Sequence, residues 1–162
     1  MKASHGRLQV GRLLIRYGVL LFFLGLVAGL AASKLANPRM GLASHPEGVM
    51  NGIFLALLGL IWPRLRLGDA TSAIAFWLVL GGAYVNWATT LAAAAWGAGS
   101  PMMPIAGLGQ RGTQLQETVI GAGLVSLSVA MIVGCLLVLW GLRGTEPDSE
   151  EPTGADAGTG RG

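Results

Sequence analysis

The 162-residue sequence predicts an all-α integral membrane protein, a bundle of four spanning helices with both termini in the cytoplasm. Three observations carry that prediction. Hydrophobic residues make up 52% of the chain and charged residues only 12%, about half the charged share of a typical soluble domain. The apolar residues gather into four long stretches, and the charges fall in the segments between them and at the ends. No stretch alternates as the strands of a membrane barrel do. Backbone polar groups in lipid must be satisfied within the segment, so these stretches are read as helices.

The first stretch runs from about Tyr17 to Ser33 without a charge, behind a leader carrying Lys2, Arg7, Arg12 and Arg16. A basic leader with small residues at Ala31-Ala32-Ser33 also fits a cleaved signal. The length of the leader and the three further spans favour a retained helix. The second stretch runs from about Gly48 to Trp62 and is closed by Pro63-Arg64. The third covers about Thr71 to Gly97, and the fourth about Thr118 to Leu142. A hydrocarbon core of roughly 30 Å needs about 20 apolar residues, which the last two supply outright and the first two reach with flanking residues. Arg64, Arg66 and Arg143 join the basic leader on one side of this topology, against Lys34, Arg39 and Arg111 on the other. The positive-inside rule then places both termini in the cytoplasm. Residues 1–143 form the spanning unit. Residues 144–162 hold Glu146, Asp148, Glu150, Glu151 and Asp156 among Gly, Pro, Ser and Thr, a composition that buries no apolar surface and predicts a disordered acidic tail.

Several functions are excluded. Eleven Lys and Arg against eight Asp and Glu, with no basic stripe interleaved with aromatics, argue against nucleic acid as a partner. The lone cysteine, Cys135, leaves no internal disulfide and reads as a small apolar filler. Trp62, Trp77, Trp96 and Trp140 lie near span ends, as interfacial belts do. Gly25 with Gly29, Gly48 with Gly52, and Gly121 near Gly123 have helix-packing spacing, within one bundle or between subunits.

The polar residues inside the spans are few. Ser44 and Glu47, with Pro46 between them, fit a capping box that starts the second helix. Glu47 then lies one turn before Asn51 on the same face. His45 continues along its own face to Gly48 and Gly52, and two residues without side chains leave room for a flat ligand. The plain alternative is a loop histidine beside a tightly packed helix pair. In the third span Gly82, Asn86 and Thr89 share a stripe, with Tyr84 away from it. Asn86 serves either as interhelical glue worth about 1 kcal/mol or as a donor to a buried substrate oxygen. Trp87 sits deep enough to line a pocket for an aromatic ligand.

The run Asn37-Pro38-Arg39-Met40-Gly41, then His45-x-Glu47-Gly48-Val49-Met50-Asn51-Gly52, then Tyr84-x-Asn86-Trp87-Ala88 resembles the hydroxylaminobenzene mutase family. The likeness covers about residues 11 to 143 and closes on Leu139-Trp140-Gly141-Leu142-Arg143. It implies a membrane isomerase that turns hydroxylaminobenzene, a small aromatic substrate, into 2-aminophenol. More distantly, the spacing from His45 to Asn51 is similar to that of styrene oxide isomerase. That likeness implies a homotrimer in membrane lipid with haem b at the subunit interfaces, its iron a Lewis acid. It makes His45 the axial ligand, with Gly48 and Gly52 beside the cofactor, and places Asn51 next to the substrate. The further expectations are that Asn51 and Asn86 orient the N–O group, Tyr84 moves a proton, and Glu47 stabilises the cation or takes the ring proton. Gly82 and Thr90 stand where the epoxide isomerase carries an aspartate and a tyrosine, which argues against epoxide chemistry. A non-catalytic four-helix protein and a haem electron carrier with ligands shared between subunits are the other readings. Transport has least support, since no intramembrane charge pair or broken helix is evident.

Overall fold

The computed structural model describes residues 2–143 and is all-helical over that range. The acidic tail lies outside the described residues. Four long helices, α1 (Lys2–Ala31), α2 (Pro38–Ile61), α3 (Asp69–Trp96) and α5 (Gln114–Gly141), are each long and apolar enough to cross a membrane. At 1.5 Å per residue the 28 residues of α3 extend about 42 Å, more than a hydrocarbon core requires. A single turn, α4 (Pro104–Gly107), lies in the segment between α3 and α5. The long helices pack in chain order, α1 on α2, α2 on α3 and α3 on α5.

Two helices begin earlier than hydropathy indicates. The polar leader is part of α1, and the Arg7 guanidinium donates to the Leu67 carbonyl at 3.0 Å. The Arg66 N–H donates to the Gly141 carbonyl at 2.8 Å, so the start of α1, the α2–α3 connection and the end of α5 share one end of the bundle. The second correction is the start of α2. Asn37 is its cap, its side chain accepting the Met40 N–H at 3.0 Å, and Pro38 occupies the first turn. Ser44, Pro46 and Glu47 therefore do not begin a helix but sit inside one. The Ser44 hydroxyl instead donates back to the Gly41 carbonyl at 2.8 Å, and Pro46 is tolerated on an exposed face.

Asn37 also organises the far end. Its backbone N–H donates to the Ala94 carbonyl at 2.9 Å and its amide donates to Ala106 and Gly107 carbonyls at 3.1 and 3.3 Å. One buried residue, through its backbone and its side chain, thus ties α2, the end of α3 and α4 together. Glu117, in the first turn of α5, accepts from the Gly99 and Gly112 N–H groups and closes the segment between α3 and α5. Gly97 ends α3 in the left-handed region, at φ +62°, where a side chain is disfavoured.

The core contains one departure from the aromatic-belt expectation. Trp62 is fully buried among Leu14, Leu58, Leu65 and Phe76, and its indole N–H donates to Ser72 at 3.3 Å. Trp77 and Trp140 are exposed, as belts are. Cys135 is free and half-buried.

Candidate active site

The α1–α2 contact is built from glycine. Gly11, Gly18 and Gly25 on α1, and Ala32 just beyond its end, recur every seven residues, a period that keeps one face toward a partner helix. A methyl group placed on Gly11 would meet the Gly59 carbonyl at 2.6 Å. On Gly18 it would meet the Gly52 carbonyl at 2.6 Å, and on Gly25 the Val49 nitrogen at 2.7 Å. Backbone therefore lies on backbone along most of the two helices. This answers the question of where Gly48 and Gly52 look. Their open sides are filled by α1, through the Gly25 Cα and the Phe22 nitrogen, each 2.5 Å from the ideal Cβ positions. Within one chain the α1 backbone, joined at Gly48 by the Trp87 indole, occupies the space beside these two glycines.

His45 closes the end of that seam. Its Nδ1 lies 2.9 Å from the Gly25 carbonyl oxygen. A carbonyl only accepts, so Nδ1 carries the proton, and in the neutral ring Nε2 keeps its lone pair. A ring held by a backbone carbonyl with its other nitrogen free is the arrangement in which histidines ligate metals. Gly29 makes it possible, because a Cβ there would stand 2.8 Å from Nδ1. Leu42, one turn before His45, is exposed, so the histidine borders an uncovered apolar flank.

Glu47 faces elsewhere. Two residues after His45, it projects about 200° around α2, toward α3. Thr90, whose hydroxyl donates to the Asn86 carbonyl at 3.2 Å, stands beside its carboxyl, and Trp87, one turn before Thr90, lies against Gly48, its Cδ1 2.9 Å from that residue's ideal Cβ position. Among the described residues, Glu47 Oε2 and Trp87 Nε1 are buried without a hydrogen-bond partner. Each such atom costs about 1–3 kcal/mol, and native structures seldom leave an acceptor and a donor unpaired at one helix crossing. Asn51, one turn after Glu47, lies on the same α3-facing side and is half-buried.

The remaining candidates are placed apart. Gly82 packs on Met131 and Thr89 on Gly123, so the stripe containing Asn86 turns toward α5. A larger residue at position 82 would require the Met131 side chain to move aside. Tyr84 reaches α1, where its hydroxyl donates to the Tyr17 carbonyl at 2.9 Å and its ring meets Tyr17 edge-on. Tyr17 precedes Gly25 by eight residues, about 12 Å along the helix, so Tyr84 and His45 are at different depths. A proton-relay role for Tyr84 requires its bond to Tyr17 to open. Among the described residues no cluster of three or more metal-ligating side chains is present. The sequence reading passed over Gly29 as a His45 seat and Thr90 as a Glu47 neighbour. The four-residue spacing of Gly25 and Gly29 was the available signal for the first.

Residues 10–143 match the family model described as styrene oxide isomerase. Over 134 residues the chain is 52% identical to hydroxylaminobenzene mutase HabB of Ectopseudomonas oleovorans, a match spanning 83% of this chain and 82% of that one. Over 125 residues it is 45% identical to hydroxylaminobenzene mutase HabA of the same organism, covering 77% of this chain and 93% of the relative. No solved structure gives a significant match.

Proposed function

This chain belongs to the styrene oxide isomerase family and is a multi-pass membrane isomerase; from that premise we propose that it rearranges N-hydroxylarylamines of the hydroxylaminobenzene type into 2-aminophenols. The observation that carries the reaction class is the extent of its likeness to two hydroxylaminobenzene mutases. In this reaction the N–O bond breaks with its electron pair on oxygen, and a C–O bond forms at the ortho carbon. The ring then loses its proton and nitrogen gains one. Substrate and product are isomers, so neither oxidant nor net water is consumed.

Haem b is the cofactor in this reading, held through His45 Nε2, and when bound it supplies an electron-pair acceptor for the departing oxygen. The Gly25 carbonyl and the absent side chain of Gly29 fix the histidine that holds it. Gly48 and Gly52 act indirectly, by admitting α1 so that this seat forms. Glu47 takes the ring proton during rearomatisation, its carboxyl held in a mostly buried place beside Thr90 and Trp87. Asn51, on the same flank, orients the N–O group, and Asn86 joins it from the α5-facing stripe. The apolar surround excludes water and keeps the migrating hydroxyl from escaping. His45 and Glu47 look to different sides of α2, so a centre using both draws them from neighbouring copies, in a homotrimer with the cofactor between subunits. The protein sits in the cell membrane with its charged end, and both termini, toward the cytoplasm.

The test is the conversion of hydroxylaminobenzene carrying an oxygen-18 hydroxyl, by purified protein in lipid nanodiscs. Retention of the label in 2-aminophenol is the expected result. Incorporation of solvent oxygen, or no product, overturns it. A visible absorption band that is lost in His45→Ala supports the cofactor assignment, and a colourless active protein removes it. Mixed oligomers of His45→Ala and Glu47→Gln chains should recover part of the activity that each lacks alone.

A further inference from the structure

α1 and α3 diverge beside the glycine seam and flank an open apolar cavity of ≈ 380 Å³. Tyr17 and Leu20 form one wall and Phe76, Trp77, Gly81 and Tyr84 the other. An engineered apolar cavity of about 150 Å³ suffices for benzene, so this space accommodates a substituted ring. Four of the eight lining residues, Tyr17, Phe76, Trp77 and Tyr84, are aromatic, which favours edge and face contacts with a flat ring over an acyl chain. Across the cavity the Tyr84 hydroxyl donates to the Tyr17 carbonyl. The Tyr84 oxygen donates its own proton there and keeps lone pairs that accept an N–H or O–H.

Gly81 is the second, independent observation. A glycine in a helix interior is unfavourable relative to alanine, and is kept where backbone or space demands it. Of the glycines inside α2, α3 and α5 among the described residues, every other one has an atom within 4.0 Å of its ideal Cβ position. Gly81 has none, so packing does not account for it. What it preserves is volume, on the wall of this cavity and of a smaller ≈ 150 Å³ cleft toward α5.

We propose that the α1–α3 cavity is a binding site for a neutral monocyclic arene bearing an N–H or O–H group, through which this enzyme collects substrate from the bilayer. The proposal rests on the arylhydroxylamine reading above and adds a site that lies away from His45. A neutral arene partitions into lipid, and the cavity lies within the spanning segments of both helices. Entry from the side therefore needs no aqueous path.

The experiment photolabels the full-length protein in nanodiscs with 4-azidoaniline and maps the adducts, alongside kinetics of Gly81→Phe. Open space at Gly81 lets the phenyl ring fill the cavity without displacing a neighbour. Expected are adducts on Tyr17, Trp77 or Tyr84, suppressed by excess aniline and lost in Gly81→Phe, and a roughly tenfold rise in KM that exceeds any fall in kcat. Adducts spread over lipid-facing α5 and indifferent to aniline would mark a lipid groove and overturn the proposal, as would an unchanged KM. Should Gly81→Phe fail to fold, Leu20→Trp fills the cavity from the opposite wall and is read in the same way. Cavity labelling without turnover of hydroxylaminobenzene sinks the functional reading and leaves the site standing. Turnover without cavity labelling does the reverse.

Discussion

α2 meets its two neighbours in opposite ways. Against α1 it presents Gly41, Gly48, Gly52 and Gly59, and the backbones touch. Against α3 it presents side chains, including the Glu47 carboxyl, which stands beside Thr90 and leaves one oxygen unmatched. Lipid supplies no hydrophobic drive between helices, so close backbone approach is what holds a membrane pair rigidly. The first contact is a fixed frame and seats His45. The second retains unsatisfied polar atoms beside it, a cost in stability that is the usual mark of a place where chemistry or a ligand is accommodated.

That contrast can be broken from either side. Gly25→Val should have the largest effect, because its side chain would drive into the backbone of Val49 and Gly48. A loss of about 3 kcal/mol or more is expected, read as a lower denaturation midpoint in detergent. Gly29→Ala tests the seat rather than the seam. Its methyl would displace the His45 ring from the Gly25 carbonyl, lowering cofactor retention or turnover roughly 10- to 100-fold with a much smaller change in stability. Trp87→Phe separates the second contact from the first. It deletes a buried donor that has no partner, so stability should change by less than about 1 kcal/mol while activity falls. A large loss of stability would show that the indole N–H is satisfied after all. The smallest effect is expected at Gly81→Ala, which fills empty space on a helix and should stabilise by about 0.5–1 kcal/mol by the same midpoint measurement.

Much of this molecule is legible locally. The third and fourth spans agree with α3 and α5 within a few residues, since long apolar runs need no partner to declare themselves. Boundaries set by competing signals are not so readable. Ser44-x-x-Glu47 and Asn37-Pro38 both mark a helix start, and only the contacts of Asn37 with Ala94 and α4 select the earlier one. Trp62 has the position of a belt residue, yet it is buried because Leu14 and Phe76 converge on it.

The candidate site divides in the same way. His45, Glu47, Asn51, Tyr84 and Asn86 stand out in the sequence because polar residues in a span are costly and few. Composition and periodicity by themselves determined four apolar helices, a charged end and this short set of polar side chains, because each follows from transfer out of water. Which way each residue faces was decided by tertiary structure alone. A glycine reads the same whether its open side holds a ligand or another helix; the register of α1 on α2 filled Gly48 and Gly52 and freed Gly29 for the His45 ring, and the placement of α3 between α1 and α5 left Gly81 empty.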